Sequence, residues 1–427
     1  MELDKAQALI DCAAMGDSIA FNPYSKEYIE NPYPTLARLR KECPVFRDEN
    51  WRLTFFTRFE DVKSIMKDRQ RFGRDFRHRL PLEAVDTGLV ERLYPRDAPT
   101  WVKYVRESFI DFEPPQHTRL RSLVSQAFTR RSSASFRPGL TVLADSIVNK
   151  LSDGEPFDAI ESFASPIPVS LIAGLMGIEP RHHKRLIDWS SATVIPYDNN
   201  VSVAGRAKAE QATIEFVDFL HAEIESRRQS PGTDLISSML EVEENGETLT
   251  EDEIIATAIL TLNAGHEATV QALGNGLLAL ANHPDQYEWL VQNPEHIPSA
   301  VDELLRFDTP LQMFERWILE DCKVSGHSLK KGQKVGLLMG SANHDETAFE
   351  GDTEALDLTR DSRHHIAFGA GLHHCVGAPL AKLEMEVALG ALVSKARAIV
   401  IEGSIPERNS SLIFRGLSAL PLRIVPR

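Results

Sequence analysis

Residues 368–384, FGAGLHHCVGAPLAKLE, place one cysteine, Cys375, between two glycines, Gly371 and Gly377, with Phe368 seven residues upstream. A helix-like run, Leu380, Ala381 and Glu384, follows. Glycines at these two places let backbone approach a flat cofactor without a Cβ clash. A helix that begins just after Cys375, with Pro379 near its first turn, points its positive end at the sulfur and favours the thiolate. Backbone N–H groups beside that sulfur tune a metal bound to it. Read as Phe-x-x-Gly-x-x-x-Cys-x-Gly, the pattern has a chance frequency on the order of 10⁻³ in a chain of this composition. The plainer alternative is a buried cysteine in a glycine-rich turn.

The 427 residues carry a formal charge of −15, and 42% are hydrophobic. No basic stripe interrupts the acidic balance, which argues against nucleic acid as a partner. The four cysteines, Cys12, Cys43, Cys322 and Cys375, form no C-x-x-C pair, and so few in a long chain fit a reducing cytoplasm. The first 25 residues lack a basic segment followed by an apolar one, so no signal peptide is expected. No run of 18 apolar residues occurs, and the expectation is a soluble, cytoplasmic protein with no membrane partner. No Gly/Ser/Pro-rich linker divides the chain, so one large domain over 1–427 is expected.

The pattern is mainly helical. Helices are expected near 31–40, 59–68, 118–128, 140–151, 160–177, 181–192, 203–228, 251–282, 296–307 and 379–396. Strands are expected at 51–57, around Trp317, at Val335–Leu338, at Leu412–Phe414 and at Leu422–Val425, with turns at Gly326 and Lys331-Gly332. Residues 74–111 are interrupted by Pro81, Gly88, Pro95 and Pro99, and a loop of that length is usually functional or disordered.

The cysteine segment resembles the haem-binding signature of the cytochrome P450 superfamily, the haem-thiolate monooxygenases. The resemblance runs from the Asn31-Pro-Tyr-Pro34 region to Arg415-Gly-Leu-Ser-Ala-Leu-Pro421. It implies a mainly α fold with a minor β part (α+β), of the soluble bacterial type. Glu303 and Arg306, 72 residues before Cys375, resemble the family's structural lock behind the haem. Glu225 and Arg228 repeat the spacing on what reads as a solvated face. The stretch Asn343-His-Asp345, Phe349, Asp357 and Arg360 resembles the segment that follows this lock.

Glu113-Pro-Pro-Gln-His117-Thr-Arg-Leu-Arg121 resembles the segment that grips a haem propionate. His117 and Arg121 share a helix face, and two cationic donors on one carboxylate is sound chemistry. Arg316 and His373 stand where the family supplies further propionate donors. A zinc site among His364, His365, His373 and His374 is the rival reading, and the ligand spacing argues against it.

Ala264-Gly-His-Glu-Ala-Thr269 resembles the oxygen-activating kink of the family's central helix. Gly265 then opens the helix over the iron, and Glu267 is the relay carboxylate. The family places a hydroxyl directly after that acid. Here Ala268 stands there and Thr269 comes one residue later, about 100° around the helix.

The resemblance thus implies haem b ligated by Cys375, dioxygen as co-substrate, and a small hydrophobic substrate. Phe368, Gly371 and Gly377 shape the cofactor loop. The chain ends 52 residues after Cys375, so no fused reductase is expected. Electrons then come from NAD(P)H only indirectly, through a separate ferredoxin and ferredoxin reductase, to a monomer. Two rivals stay open: a peroxide-driven oxygenase or isomerase on the same haem, and a non-enzymatic haem sensor. Pocket walls are expected from Leu89–Trp101, Val194-Ile-Pro196, Ala264, Leu311–Phe314 and Leu412-Ile413, all read as apolar.

Overall fold

A 32-residue helix, Glu251–Asn282, organises the molecule. It opens on a capping box. The Thr250 hydroxyl accepts from the Glu253 N–H at 3.2 Å, and the Glu253 carboxylate accepts from the Thr250 N–H at 2.9 Å. Glu251, Asp252 and Glu253 add negative charge at the positive end of the dipole. The helix ends at His283, before Pro284 starts the helix Pro284–Gln292. It is buried on most of its circumference, with an apolar majority and a few polar side chains that find partners. Ile255, Ile259, Leu262 and Leu280 have no solvent exposure, and each such side chain contributes roughly 1.5–3 kcal/mol. Helices Pro166–Leu175, His183–Thr193, Val203–Gln229, Ile297–Phe307 and Ala378–Lys395 pack around it.

This computed structural model describes residues 8–11, 18–125, 128, 130–198, 200–241, 243–244, 247–404, 408–409 and 411–427. Cys12 lies outside them. A five-stranded sheet flanks the helices in the order Val45–Asp48, Leu53–Phe56, Lys334–Leu338, Met313–Ile318, Phe72–Gly73. Leu53–Phe56 runs parallel to Lys334–Leu338, and the other pairings are antiparallel. Arg316 sits opposite Val335 in that register, held in the sheet interior. A smaller sheet joins Ala396–Ile401, Pro421–Pro426 and Phe157–Asp158. Among the described residues no helix is long and apolar enough to cross a membrane.

Most expected helices form within a few residues of the sequence reading. Three differences have physical causes. The 160–177 segment splits into a π-turn, Ile160–Ala164, and the helix Pro166–Leu175, because Pro166 lacks an N–H for an interior turn. The 74–111 stretch is ordered. It holds the helix Thr87–Leu93, capped by Asp86 accepting from the Gly88 and Leu89 N–H groups, and the π-turn Val102–Arg106. Leu412–Phe414 is not a strand. It makes one isolated bridge, Phe414 to Leu311.

Glu303 and Arg306 are both fully buried and paired in two-pronged fashion at 2.7 and 2.8 Å. The same carboxylate takes the Arg360 Nε–H at 3.3 Å, the Asp357 N–H at 3.1 Å and the Ser362 hydroxyl. Arg306 donates onward to the carbonyls of Asn343 and Thr353, both at 2.9 Å. The lock thus ties the Ile297–Phe307 helix to residues 343–362. Arg228 and Glu225, at 3.8 Å, are about half exposed, so the same spacing there is a surface pair. Glu303→Ala leaves two buried guanidiniums without a counter-charge. It should cost about 3–5 kcal/mol, read as a lower denaturant midpoint, whereas Glu225→Ala should change it by under about 1 kcal/mol.

Candidate active site

Cys375 sits on the loop before the Ala378–Lys395 helix, with Gly377 as its N-cap. Its N–H bonds the Phe368 carbonyl at 2.9 Å, closing the loop on itself. The residue is accessible and lines a cavity, yet protein on the other sides makes burial push the thiol pKa up. The Gly377 N–H, the Arg121 guanidinium and the Ala378 N–H act against that rise. Arg121 also donates to the carbonyls of His374 at 2.6 Å and Leu372 at 3.3 Å. It therefore holds the loop in place as well as lining the cavity.

The two glycines differ in what they do. Gly371 has φ +73°, and a Cβ there would come within 2.5 Å of the Met66 carbonyl oxygen. It is glycine for the sake of packing on the helix Phe59–Lys67. Gly377 has an ordinary φ of −83°. A Cβ there would meet only the Cys375 sulfur, at 3.9 Å.

The cavity lies between this loop and the central helix. Phe368, Cys375 and Gly377 line one side, and Ala264, Gly265, Ala268 and Thr269 line the other. The central helix is uninterrupted here, with no kink in its hydrogen bonding. Gly265 is needed for close packing, since a Cβ would meet Ile172 at 2.5 Å. Thr269 is buried on the cavity wall, one position past the small Ala268. Glu267 is not among the lining residues. Its Oε1 accepts from the Ser191 hydroxyl at 2.7 Å, on the His183–Thr193 helix. Against a burial that would raise it, bonds from His266 and Ser191 hold Glu267 below the usual carboxylate range.

The residues present fit a haem. Both ring nitrogens of His117 are buried without a hydrogen-bond partner. Burial, then the charges of His373 and Arg121, push its pKa down to about 4. His373 packs edge-on against it at 4.5 Å, bonds Glu113 at 3.2 Å through Nε2, and leaves Nδ1 unpaired. Arg316 is buried and bonds only the carbonyl of Glu315, at 2.9 Å. Burial and then Arg74 lower its pKa to about 9. A cation and three unpartnered imidazole nitrogens clustered beside a thiol are what two propionates would complete. The four histidines do not converge on a metal. His364 stacks on Phe349 at 4.4 Å and His365 bonds Asp302 at 3.3 Å. No cluster of three His, Cys, Asp or Glu suited to a metal ion occurs among the described residues.

The expected walls are half right. Leu93, Val194, Pro196, Ala264, Met313 and Ile413 line the cavity, while Leu89, Trp101, Ile195 and Leu412 do not. The apolar expectation misses its charged groups: Arg74, Arg92, Arg106, Asp198 and Glu315 also line it. So does Glu384, a wholly buried carboxyl whose Oε2 has no partner and whose pKa burial raises well above the usual carboxylate range. Its one signal in the sequence is an acid inside the apolar run of residues 383–393.

Comparison with known proteins agrees with this geometry. The family model described as Cytochrome P450 matches residues 194–421. The polyketide biosynthesis cytochrome P450 PksS of Bacillus subtilis (strain 168) is 36% identical over 96% of this chain and 99% of its own. Its solved structure superposes with a TM-score of 0.82 over 95% of this chain and 99% of that one, at 34% identity. The vitamin D(3) 25-hydroxylase of Pseudonocardia autotrophica is 35% identical over 95% of this chain and 96% of its own. The 6-deoxyerythronolide B hydroxylase of Saccharopolyspora erythraea is 32% identical over 92% of this chain and 96% of its own. A thiol-bearing loop facing an unbroken central helix, a propionate-ready cluster and this likeness along the whole chain have one explanation: the chain belongs to the cytochrome P450 family and is a haem b monooxygenase.

Proposed function

We propose that Cys375 would ligate the haem iron, that His117, Arg121, Arg316 and His373 would hold the propionates, and that the substrate is a small, largely hydrophobic molecule. The observation carrying this is the pairing of an accessible Cys375 with unpartnered His117 nitrogens in one cavity. Phe368, Gly371 and Gly377 shape the loop under the cofactor. Bound haem supplies the oxygen chemistry: with dioxygen, two electrons and two protons, one oxygen atom enters the substrate and the other leaves as water.

This chain's residues supply position and protons. Ala264 and Ala268 leave room above the iron site, with Gly265 packed against Ile172 between them. Thr269 offers a hydroxyl at the wall, and Glu384, raised well above the usual carboxylate range by burial, adds a carboxyl to the same cavity. Glu267 acts through Ser191, holding the His183–Thr193 helix against the central helix. Electrons arrive from a separate ferredoxin and its reductase to one 1–427 domain, acting as a monomer in the cytoplasm.

Cys375→His should abolish the strongly red-shifted Soret band of the ferrous–CO form, even with haem retained. Persistence of that band would remove Cys375 as the ligand. NADH or NADPH alone should support no substrate oxidation, and adding ferredoxin and reductase should restore it. For proton handling, product formed per nicotinamide oxidised is the readout. Thr269→Val should lower it several-fold and Glu267→Gln by less than twofold, and the reverse order would put the relay on Glu267.

The folded pKa of His117, about 4, lies below its ordinary 6.5. Between those values the unfolded chain binds more protons, so stability of the haem-free protein falls as pH drops through that window. His117→Gln should remove this share of the acid sensitivity, measured as denaturant midpoint against pH. Haem loading should reduce it too, because propionates stabilise the protonated ring.

A further inference from the structure

Arg106 is the least satisfied charge in the cavity. It ends the π-turn Val102–Arg106, which packs on the central helix, and its side chain is buried. Its Nε has no hydrogen-bond partner, and its Nη1 reaches Asp111 only at 3.5 Å, beyond a good hydrogen bond. Asp111 bonds Arg74 through Oδ1, and its Oδ2, the oxygen nearest Arg106, is itself buried without a hydrogen-bond partner. A buried guanidinium normally fills its donors, because each one left empty forfeits the hydration given up on burial.

Three further groups on the same wall have spare capacity. Asn263, on the central helix, bonds the Thr193 hydroxyl at 3.0 Å with one end of its amide, and the other end is buried without a partner. The Tyr197 hydroxyl meets only the Val105 carbonyl, at 3.5 Å. One oxygen of Asp198 is buried and unpartnered, while the other accepts from Tyr24 at 2.6 Å. All four residues line the cavity, and they come from three separate segments. Trp101, which donates to the Thr193 carbonyl at 2.8 Å and packs on Tyr197 at 5.8 Å, joins the segments into one roof.

Charge decides what this roof can take. The cations at the cavity and its edge are Arg74, Arg92, Arg106, Arg121, Arg316 and Lys334. Set against them are the carboxylates Asp111, Glu113, Asp198 and Glu315. The excess is two positive charges, which the two negative charges of two haem propionates would offset. Lys334, whose pKa burial lowers to about 7, makes the balance less positive still at neutral pH. A substrate carboxylate would enter as an unmatched buried negative charge, which is strongly unfavourable. A bare hydrocarbon would leave the Arg106 and Asn263 groups unpaired.

We propose that Arg106, with Asn263 beside it, is a specificity-determining residue that recognises a neutral oxygen, a carbonyl or hydroxyl, on an otherwise apolar substrate. This rests on the haem-thiolate reading and narrows its substrate class to neutral oxygen-bearing molecules, as against hydrocarbons and carboxylic acids.

The test uses the haem-loaded protein and three probes on one ring: cyclododecane, cyclododecanone and cyclododecanecarboxylic acid. Dissociation constants are read from the Soret shift. The ketone should bind at least tenfold tighter than either of the others. Arg106→Met should abolish that preference while changing cyclododecane affinity less than threefold and leaving the ferrous–CO band in place. Should Arg106→Met lose haem, Arg106→Lys keeps a charge beside Asp111 but has no Nε, and Asn263→Leu leaves Arg106 untouched. Each should cut the ketone preference at least threefold. Equal affinities across the three probes, tightest binding of the acid, or an intact ketone preference in both Arg106→Lys and Asn263→Leu would overturn the proposal. A wild-type protein without the red-shifted ferrous–CO band would instead overturn the haem-thiolate reading beneath it.

Discussion

If Cys375 ligates the haem iron as proposed, its sulfur must carry negative charge in surroundings that raise the thiol pKa, and the rest of this structure depends on that constraint. Burial alone pushes the Cys375 thiol the wrong way. The chain answers with backbone rather than with a nearby base: the N–H groups of Gly377 and Ala378 at the start of a helix, and the Arg121 guanidinium. That answer works only if the loop cannot relax. Arg121 bonds the loop's own carbonyls, the Cys375 N–H bonds Phe368, and Gly371 lies flat against the Phe59–Lys67 helix. One arginine therefore serves both the charge on the sulfur and the shape that presents it.

The same economy appears across the cavity. The central helix turns a stripe of Ala264, Ala268 and Ala272 toward the cofactor side, spaced one turn apart. Small side chains in that stripe leave volume above the iron site. The polar residues of the helix are turned to other tasks, Glu267 to Ser191 and Asn263 to Thr193, both on the His183–Thr193 helix. That helix leads directly into Val194 and Pro196 of the cavity wall, so the residues bonding it to the central helix also fix where that wall sits.

Much of this is legible in the sequence because it is local. The capping box before residue 251, the apolar run after it, and the glycine-flanked cysteine each announce themselves within ten residues. The Glu303–Arg306 lock is legible as a spacing, yet Glu225–Arg228 has the same spacing at the surface. Only tertiary burial separates the two. The direction of Glu267 was not legible for the same reason, since Ser191 lies 76 positions away. Nor was the close packing of Gly371 on the Met66 backbone.

The charged roof is the clearest case of what sequence pattern cannot give. Arg74, Arg92 and Arg106 lie in an irregular, proline-broken stretch where nothing in the local pattern marks them as buried, and arginine is ordinarily exposed. The fold reverses it. Asp86 caps a helix inside the stretch, the π-turn carries Arg106 inward, and sheet residues Glu315 and Lys334 meet the cations from the other side. Each contact joins segments more than 200 residues apart or depends on one that does. A chain that only needed to cover an apolar pocket would use leucines here. Holding so many charges out of water is tolerable because most of them have a partner, and Arg106, whose Nε is unpaired and whose one carboxylate contact is long, is where a partner from outside the chain fits.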